Sequence, residues 1–348
     1  MDKSLIRHPS DKMALNSWPL SLVAPGVFVT PLRLGPPTHW LGHCPLAFWL
    51  VESTKPRTFV ELGTNVGVSY SAFAQGVLQA GLYTQCYGID PCSTPGQDGI
   101  SGEALRAEWE EFHQVNFREF SRLLRSTAVE AASQFDDASV DILHLDGQAT
   151  AETIRRDCEA WLPKLSDRAL VLLHRVDRLF FEGDGGAGTV WRELRQRYPT
   201  FTFTHSGGLG LAAVGASPPP AVVWLTGLEP ESQEALIVQR FFATLGDLCQ
   251  LASTVDRAER HGRELDARAT REMSAAALAG TRFVLQATEL TDLRRRLDVQ
   301  ERRITQDAET IAALRSRLDL AADEERQLLS VLEQHATGDA VFRLTCRL

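Results

Sequence analysis

The feature that most constrains this chain is a glycine-punctuated turn between an apolar strand and a helix. A strand pattern covers residues 57–62, and ELGTNVGVS at Glu61–Ser69 leads into a helical pattern over 67–80. A strand, a tight turn and a helix bring backbone N–H groups and a helix N-terminus to one crevice. Gly63 and Gly67 allow the backbone to approach a ligand closely. The turn therefore predicts a doubly wound α/β sheet with a ligand crevice beside it.

An acidic residue ends the next apolar run, Gln85–Ile89. A carboxylate at this place, Asp90, can accept hydrogen bonds from both hydroxyls of a ribose. The glycines are spaced GxxxG rather than GxGxxG, so the nucleotide need not carry a diphosphate. The combination points to S-adenosyl-L-methionine (SAM) as the cofactor. The predicted cofactor-binding residues are Glu61, Gly63, Thr64, Asn65, Gly67, Ser69, Asp90 and Ser126.

Strand and helix patterns alternate up to about residue 215, as in a Rossmann-like fold. The further strands are predicted at 85–90, 140–145, 169–174, 200–205 and 209–214. The further helices are predicted at 40–55, 102–125, 150–161 and 189–197. This alternation predicts one parallel-rich sheet with helices on both faces.

Composition divides the chain into four segments. Residues 1–39 are polar and rich in proline and predict an irregular N-terminal arm, whereas 40–217 holds the α/β pattern. The proline run Pro218–Pro220 marks a boundary. A helical segment is predicted over 218–262, and a long helix or coiled coil over 263–348.

Apolar residues recur at seven-residue spacing in the last segment. One seam contains Leu290, Leu297, Ile304, Ile311, Leu318 and Leu332, with Glu325 as its polar member. The other seam contains Leu293, Leu314, Ala321 and Leu328, and is interrupted by Gln300 and Asp307. Sustained heptads favour an intermolecular coiled coil, and hence a homo-oligomer, over a single amphipathic helix folded against the domain.

Composition also bounds the partners and the compartment. A formal charge of −9 argues against a nucleic-acid partner. The six cysteines are scattered singly, with no CxxC pair and no zinc spacing. The N-terminal sequence lacks the apolar core of a signal peptide, and no apolar run approaches the roughly 20 residues that span a bilayer. We expect a cytoplasmic protein with no transmembrane segment.

Seven segments between Trp40 and Gly215 carry a family resemblance. They are WLGHCPLAFWLVE (Trp40–Glu52), FVELGTNVGVSYSAF (Phe59–Phe73), YGID (Tyr87–Asp90), FSRLLRSTAVEAASQF (Phe120–Phe135), VDILHLDG (Val140–Gly147), RRDCEAWLPKLSDRALVLLH (Arg155–His174) and HSGGLGLAAVG (His205–Gly215). This region resembles class I SAM-dependent methyltransferases, in particular a bacterial branch associated with glycosyltransferases and surface-polysaccharide biosynthesis. The resemblance implies a glycan or small-molecule acceptor and a glycosyltransferase partner.

Two polar residues are predicted at the carboxyl ends of neighbouring strands. Asp146 ends DILHLD and His174 ends ALVLLH. Methyl transfer to a hydroxyl needs positioned reactants and a group that takes the hydroxyl proton. Asp146 and His174 are therefore the candidate catalytic residues. Without the resemblance, a helix cap at Asp146 and a structural histidine at His174 would be the preferred interpretations, as a structural role is for His144.

Three loops depart from the pattern of the resembling enzymes. Ala149 and Ala151 stand where the relatives carry histidine and tyrosine, and Arg175 stands in place of an aspartate. The loop 91–99 has no histidine. Alanine cannot ligate a cation and arginine repels one. No metal site is therefore expected, and Asp146 is the single candidate ligand for a divalent metal.

Three hypotheses for function follow. The first is a SAM-dependent O-methyltransferase that acts on a sugar hydroxyl of a surface glycan or its precursor. The second is a catalytically reduced methyltransferase-like scaffold of a polysaccharide-synthesis complex. The third is a small-molecule O-methyltransferase that uses the coiled coil only to dimerise.

Overall fold

The computed structural model describes residues 22, 24–35, 38–91, 102–146, 150–177, 186–278 and 286–336. Of the loop positions that depart from the family pattern, Ala149 and residues 92–99 lie outside this part of the chain. The chain divides into two compact units, one formed by Met1–Cys249 with Gln327–Leu348 and the other by Gln250–Arg326. Each unit is described by itself.

The first unit is built on a seven-stranded sheet. Its strands are β1 (Thr58–Leu62), β2 (Gln85–Ile89), β3 (Ser121–Leu124), β4 (Val140–Leu145), β5 (Leu165–His174), β6 (Thr200–Phe203) and β7 (Leu209–Ala213). The strand order is β3-β2-β1-β4-β5-β7-β6. Strands β1 to β5 pair in parallel, and β7 is antiparallel to both β5 and β6. This topology confirms the predicted Rossmann-like α/β class.

Helices cover both faces of the sheet. They are α1 (Cys44–Thr54), α2 (Val68–Gln79), α3 (Gly102–Asn116), α4 (Ala128–Ala132), α5 (Ala151–Trp161), α6 (Gly186–Arg197) and α7 (Pro220–Thr226). Successive strand residues point to opposite faces, so Phe59 belongs to one hydrophobic core and Val60 to the other. Ile142 and Leu143 of β4 divide in the same way. The two cores confirm the doubly wound arrangement.

The prediction of a single helix over 102–125 is wrong at its C-terminal end. Helix α3 stops at Asn116, and Ser121–Leu124 forms β3 at the edge of the sheet. Cys86 of β2 pairs with Ser121, whose hydroxyl lies 2.5 Å from the hydroxyl of Tyr70 and 2.6 Å from Nε2 of His113. Pairing with β2 and these buried hydrogen bonds outweigh the helical periodicity of the segment.

The described part of the predicted irregular arm packs onto the domain. Residues Pro25–Phe28 form one 3-10 turn, and Val27 and Arg33 are buried. The side chain of Gln75 in α2 accepts a hydrogen bond from Leu32 N–H at 2.7 Å, and its amide group also donates to a carbonyl of the arm. These contacts attach the arm to α2.

Two long helices follow α7. They are α8 (Gln233–Leu278), which crosses the division between the two units, and α9 (Gln286–Ala336). The heptad positions of α9 from Leu293 to Glu325 are half-buried, and almost all the residues between them are exposed. Within the second unit, Arg315 of α9 donates to Glu259 of α8 at 2.8 Å. The seam thus contributes to burial inside one chain, and pairing between chains stays a prediction.

None of the helices in the described ranges is both long and apolar enough to cross a membrane.

Candidate active site

The predicted glycine turn connects β1 to α2 at the edge where the parallel strands end. Gly63, Asn65 and Gly67 have left-handed backbones with φ of 86°, 46° and 76°. The Gly67 N–H donates to the carbonyl of Thr64 at 2.7 Å and closes the turn. Two of the three left-handed positions therefore require glycine, and Asn is among the residues that tolerate the third.

Asp90 connects the end of β2 to this turn. Its Oδ2 accepts a hydrogen bond from the Asn65 N–H at 3.0 Å, and the Gly63 N–H donates to the carbonyl of Ile89 at 2.8 Å. Asp90 thus lies beside the turn as predicted, and its role toward a ribose stays a prediction. Ser126 follows β3 and is half-buried, and its hydroxyl donates to the carbonyl of Thr127 at 3.2 Å.

Glu61 is fully buried at the centre of a polar network. Its Oε1 accepts from the Ser69 hydroxyl and its Oε2 from Nδ1 of His144, both at 2.8 Å. The Trp40 indole N–H lies 3.1 Å from Nε2 of His144. Because the indole only donates, His144 accepts at Nε2 and carries its proton on Nδ1. Burial raises the pKa of Glu61 despite the hydrogen bond from His144.

The two candidate catalytic residues, Asp146 and His174, are in direct contact. Asp146 Oδ1 lies 2.6 Å from Nδ1 of His174, and Nε2 of His174 lies 3.4 Å from the carbonyl of Ser206. Burial acts to raise the pKa of Asp146, but the charge and hydrogen bond of His174 outweigh it and hold that pKa below its usual value. The Ser69 hydroxyl, 3.5 Å from Asp146 Oδ2, connects this pair to Glu61.

A group of histidines beside His174 was missed by the sequence analysis. The ring of His43 is fully buried, with its centroid 4.5 Å from that of His205 and 5.5 Å from that of His174. Burial, and then the nearby His205 and His174, lower the pKa of His43 well below its usual value. Burial lowers the pKa of His205 to about 4. Both residues lie inside segments of the family resemblance, but their sequence separation conceals their contact.

The chain is similar to known proteins over part of its length. Residues 60–176 match the family model described as a methyltransferase domain. This match confirms the predicted class, that of SAM-dependent methyltransferases. The chain is also 39% identical over 181 residues to y4gI of Sinorhizobium fredii, an uncharacterized protein; the alignment covers 52% of this chain and 20% of that relative.

Three solved structures also align with part of the chain. A methyltransferase from Geobacter sulfurreducens is 20% identical, with 51% of this chain and 80% of that chain covered and a TM-score of 0.37. The SAH-bound methyltransferase PaMTH1 of Podospora anserina is 14% identical, with 56% and 87% covered and a TM-score of 0.39. The O-methyltransferase TomG of Streptomyces achromogenes is 16% identical, with 53% and 83% covered and a TM-score of 0.36.

Strained backbone surrounds His174 at the end of the methyltransferase domain. Arg175 and Ser206 are left-handed non-glycine residues with φ of 64° and 53°. Gly207 and Gly208 follow at 81° and 83°, and the Arg175 N–H donates to the carbonyl of Gly208 at 2.8 Å. Such strain often gathers at functional sites, where the surrounding structure holds it in place.

In the ranges that the structure describes, no group of three or more His, Cys, Asp or Glu residues is arranged to hold a metal ion.

Proposed function

We propose that this protein transfers the methyl group of SAM to a sugar hydroxyl of a surface glycan or its precursor. One observation carries the proposal: the Asp146–His174 pair, 2.6 Å apart, shares an edge of the sheet with the left-handed turn of Gly63 and Gly67. A candidate base thereby lies next to the crevice predicted for SAM. The sugar as acceptor rests on the family resemblance.

The residues at this edge suit SAM in charge and in backbone geometry. SAM carries a positive sulfonium and a positive amino group, and the carboxyl groups of Glu61, Asp90 and Asp146 all lie at the ends of parallel strands. Helix α2 begins after Gly67, which offers no side-chain cap to the first N–H groups of the helix. Uncapped N–H groups at a helix N-terminus favour a carboxylate, such as that of SAM.

His174 can serve as the general base in this arrangement. SAM, when bound, supplies the electrophilic methyl group. In its neutral form, His174 donates Nδ1–H to Asp146 and keeps the lone pair of Nε2 for the proton of the acceptor hydroxyl. Once protonated, Nε2–H can donate to the carbonyl of Ser206, and Asp146 stabilises the imidazolium. A positioned base of this kind accelerates a reaction by about 10² to 10⁴-fold.

Arg175 is proposed to recognise the acceptor. It follows His174 directly, at the same end of β5. A guanidinium pairs well with a phosphate or a carboxylate, groups that sugar precursors often carry.

Titration calorimetry tests the cofactor. We expect the full chain to bind SAM and S-adenosylhomocysteine, and Asp90→Ala to abolish this binding. Asp137→Ala is the control, because Asp137 is an exposed residue that pairs with Lys164. Wild-type affinity in Asp90→Ala would show that the crevice is assigned wrongly, and no binding by the wild type would refute the enzyme proposal.

A panel of acceptors tests the substrate. We expect S-adenosylhomocysteine to form from SAM in the presence of nucleotide sugars or oligosaccharides, detected by mass spectrometry together with the methylated sugar. Turnover with phenols alone would instead support the small-molecule hypothesis.

A further inference from the structure

Arg33, in the N-terminal segment, contacts the middle of the glycine turn. Its side chain is only 3% exposed. The guanidinium Nε–H donates to the carbonyl of Val66 at 2.7 Å, and Nη1 lies 3.3 Å from Oε1 of Glu108 in α3. The Val66 carbonyl lies between the left-handed residues Asn65 and Gly67, so the hydrogen bond holds the centre of the turn.

Two aromatic residues of α3 hold the guanidinium of Arg33. Its central carbon lies 5.4 Å from the ring centroid of Trp109 and 5.2 Å from that of Phe112, within range of cation–π attraction. The Trp109 ring packs directly against Gly67, where an added Cβ would overlap it. The turn is therefore supported on one side by Arg33 and on another by Trp109.

We propose that Arg33 is a positioning residue that holds the 63–67 turn in the conformation needed to bind SAM. This inference rests on the proposed function, since it assigns a role to the turn of the SAM site. Arg33 lies outside the 60–176 match to the methyltransferase family. The N-terminal segment of this chain thereby completes a site whose other residues come from the domain itself.

The physical reason is conformational. A left-handed conformation at Asn65 is sparsely populated in a free chain, and the turn needs it together with the left-handed Gly67 on the other side of Val66. A charge-assisted hydrogen bond to the carbonyl between them favours this one arrangement over the alternatives. Without this hydrogen bond, the turn samples more conformations. SAM then binds only the fraction of molecules whose turn has the binding conformation, which weakens its apparent affinity.

The test compares Arg33→Met with Glu108→Gln by titration of SAM into the full chain. Methionine keeps apolar bulk beside Trp109 but removes the donor to Val66, so we expect the Kd for SAM to rise about tenfold. Glu108→Gln removes the ion pair but keeps that donor, and Glu108 is 59% exposed. We expect this control to bind SAM like the wild type.

Amide hydrogen exchange without SAM separates a positioning role from general stabilisation. We expect Arg33→Met to exchange faster at 63–67 only, with the amides of β1 and β4 unchanged. Acceleration throughout the sheet, or wild-type exchange together with wild-type affinity, would overturn the proposal. If Arg33→Met does not fold, Arg33→Lys is measured in the same way. If the wild type does not bind SAM, the proposed function is refuted. Hydrogen exchange at 63–67 then tests by itself whether Arg33 holds the turn.

Discussion

The pKa values of two neighbouring carboxyl groups of the site shift in opposite directions because their surroundings differ. Glu61 is fully buried, and burial raises its pKa. Asp146 is held by the charge of His174, and its pKa is lowered. Carboxyl groups with opposite shifts at one site are a recognised sign of divided roles in acid–base chemistry. Ser69, which contacts both, keeps them within one hydrogen-bonded network.

Replacing His174 should remove catalysis but not cofactor binding. We expect His174→Gln to reduce methyl transfer by about 10² to 10⁴-fold, because glutamine cannot accept the hydroxyl proton. The Kd for SAM should change little, since the cofactor is assigned to the turn and Asp90. Product formation and calorimetry measure the two effects, and His261→Gln, at an exposed position of α8, is the control. Full activity in His174→Gln would rule out the base assignment.

Acid should destabilise the fold through two histidines whose pKa values are lowered. The folded-state pKa values of His43 and His205 lie below the usual 6.5, so the unfolded chain binds more protons as the pH falls below 6.5. This destabilisation is absent well above pH 6.5, grows as the pH falls through that value, and for His205 levels off near pH 4.

The variant His205→Gln removes the titration of His205 and leaves that of His43. Glutamine can still donate to the Gly42 carbonyl, as Nε2 of His205 does at 3.0 Å, but it does not titrate. Between pH 6 and 5, the free energy of unfolding should fall less steeply in the variant, by up to about 1.4 kcal/mol per pH unit. Urea denaturation at each pH measures the slopes. Parallel slopes would contradict a lowered pKa of His205.

At the scale of elements, the junction of β1 and α2 depends on glycine for two reasons. Gly67 has a left-handed backbone, and it also lies against Trp109. Gly81, after α2, has a similar φ of 61° but no atom within 4 Å of an added Cβ. Comparing alanine substitutions at Gly67 and Gly81 therefore separates the effect of backbone strain from that of steric overlap.

Gly67→Ala should destabilise the protein more than Gly81→Ala. Both variants incur the backbone penalty of about 1–2 kcal/mol, and Gly67→Ala adds overpacking of about 1–3 kcal/mol. Chemical denaturation gives the two free energies of unfolding. Equal losses would mean that Trp109 moves aside at little cost.

At the scale of the whole molecule, we expect the α9 seam to pair with the same seam in another copy of the chain. Sedimentation of the full chain gives its mass, and we expect a homo-oligomer that Ile304→Asp together with Ile311→Asp reduces to a single chain. Val299→Asp is the matched control, because Val299 is apolar but outside the seam and 60% exposed. A wild type that sediments as one chain would refute the oligomer. The seam variants would then lose helix stability without a change in mass.

The class of fold and the glycine turn were determined by local sequence. The β1 strand, the GxxxG turn and α2 follow from residues close together in the chain, and Asp90 ends the next strand. Backbone preference and hydrophobic period suffice for such features. The same local rules predicted that Asp146 and His174 end neighbouring strands, because the carboxyl ends of parallel strands meet at one edge.

The contacts that complete the site were decided only by the tertiary structure. The structure has the strand β3 where the sequence predicted the end of a helix, because this segment forms hydrogen bonds with the edge of β2. The ring of His43 contacts that of His205, and Arg33 donates to the Val66 carbonyl. These residues are far apart in the sequence, and no periodic pattern predicts their contacts. Such contacts depend on how the elements pack, because burial and partner geometry, rather than local preference, set their energies.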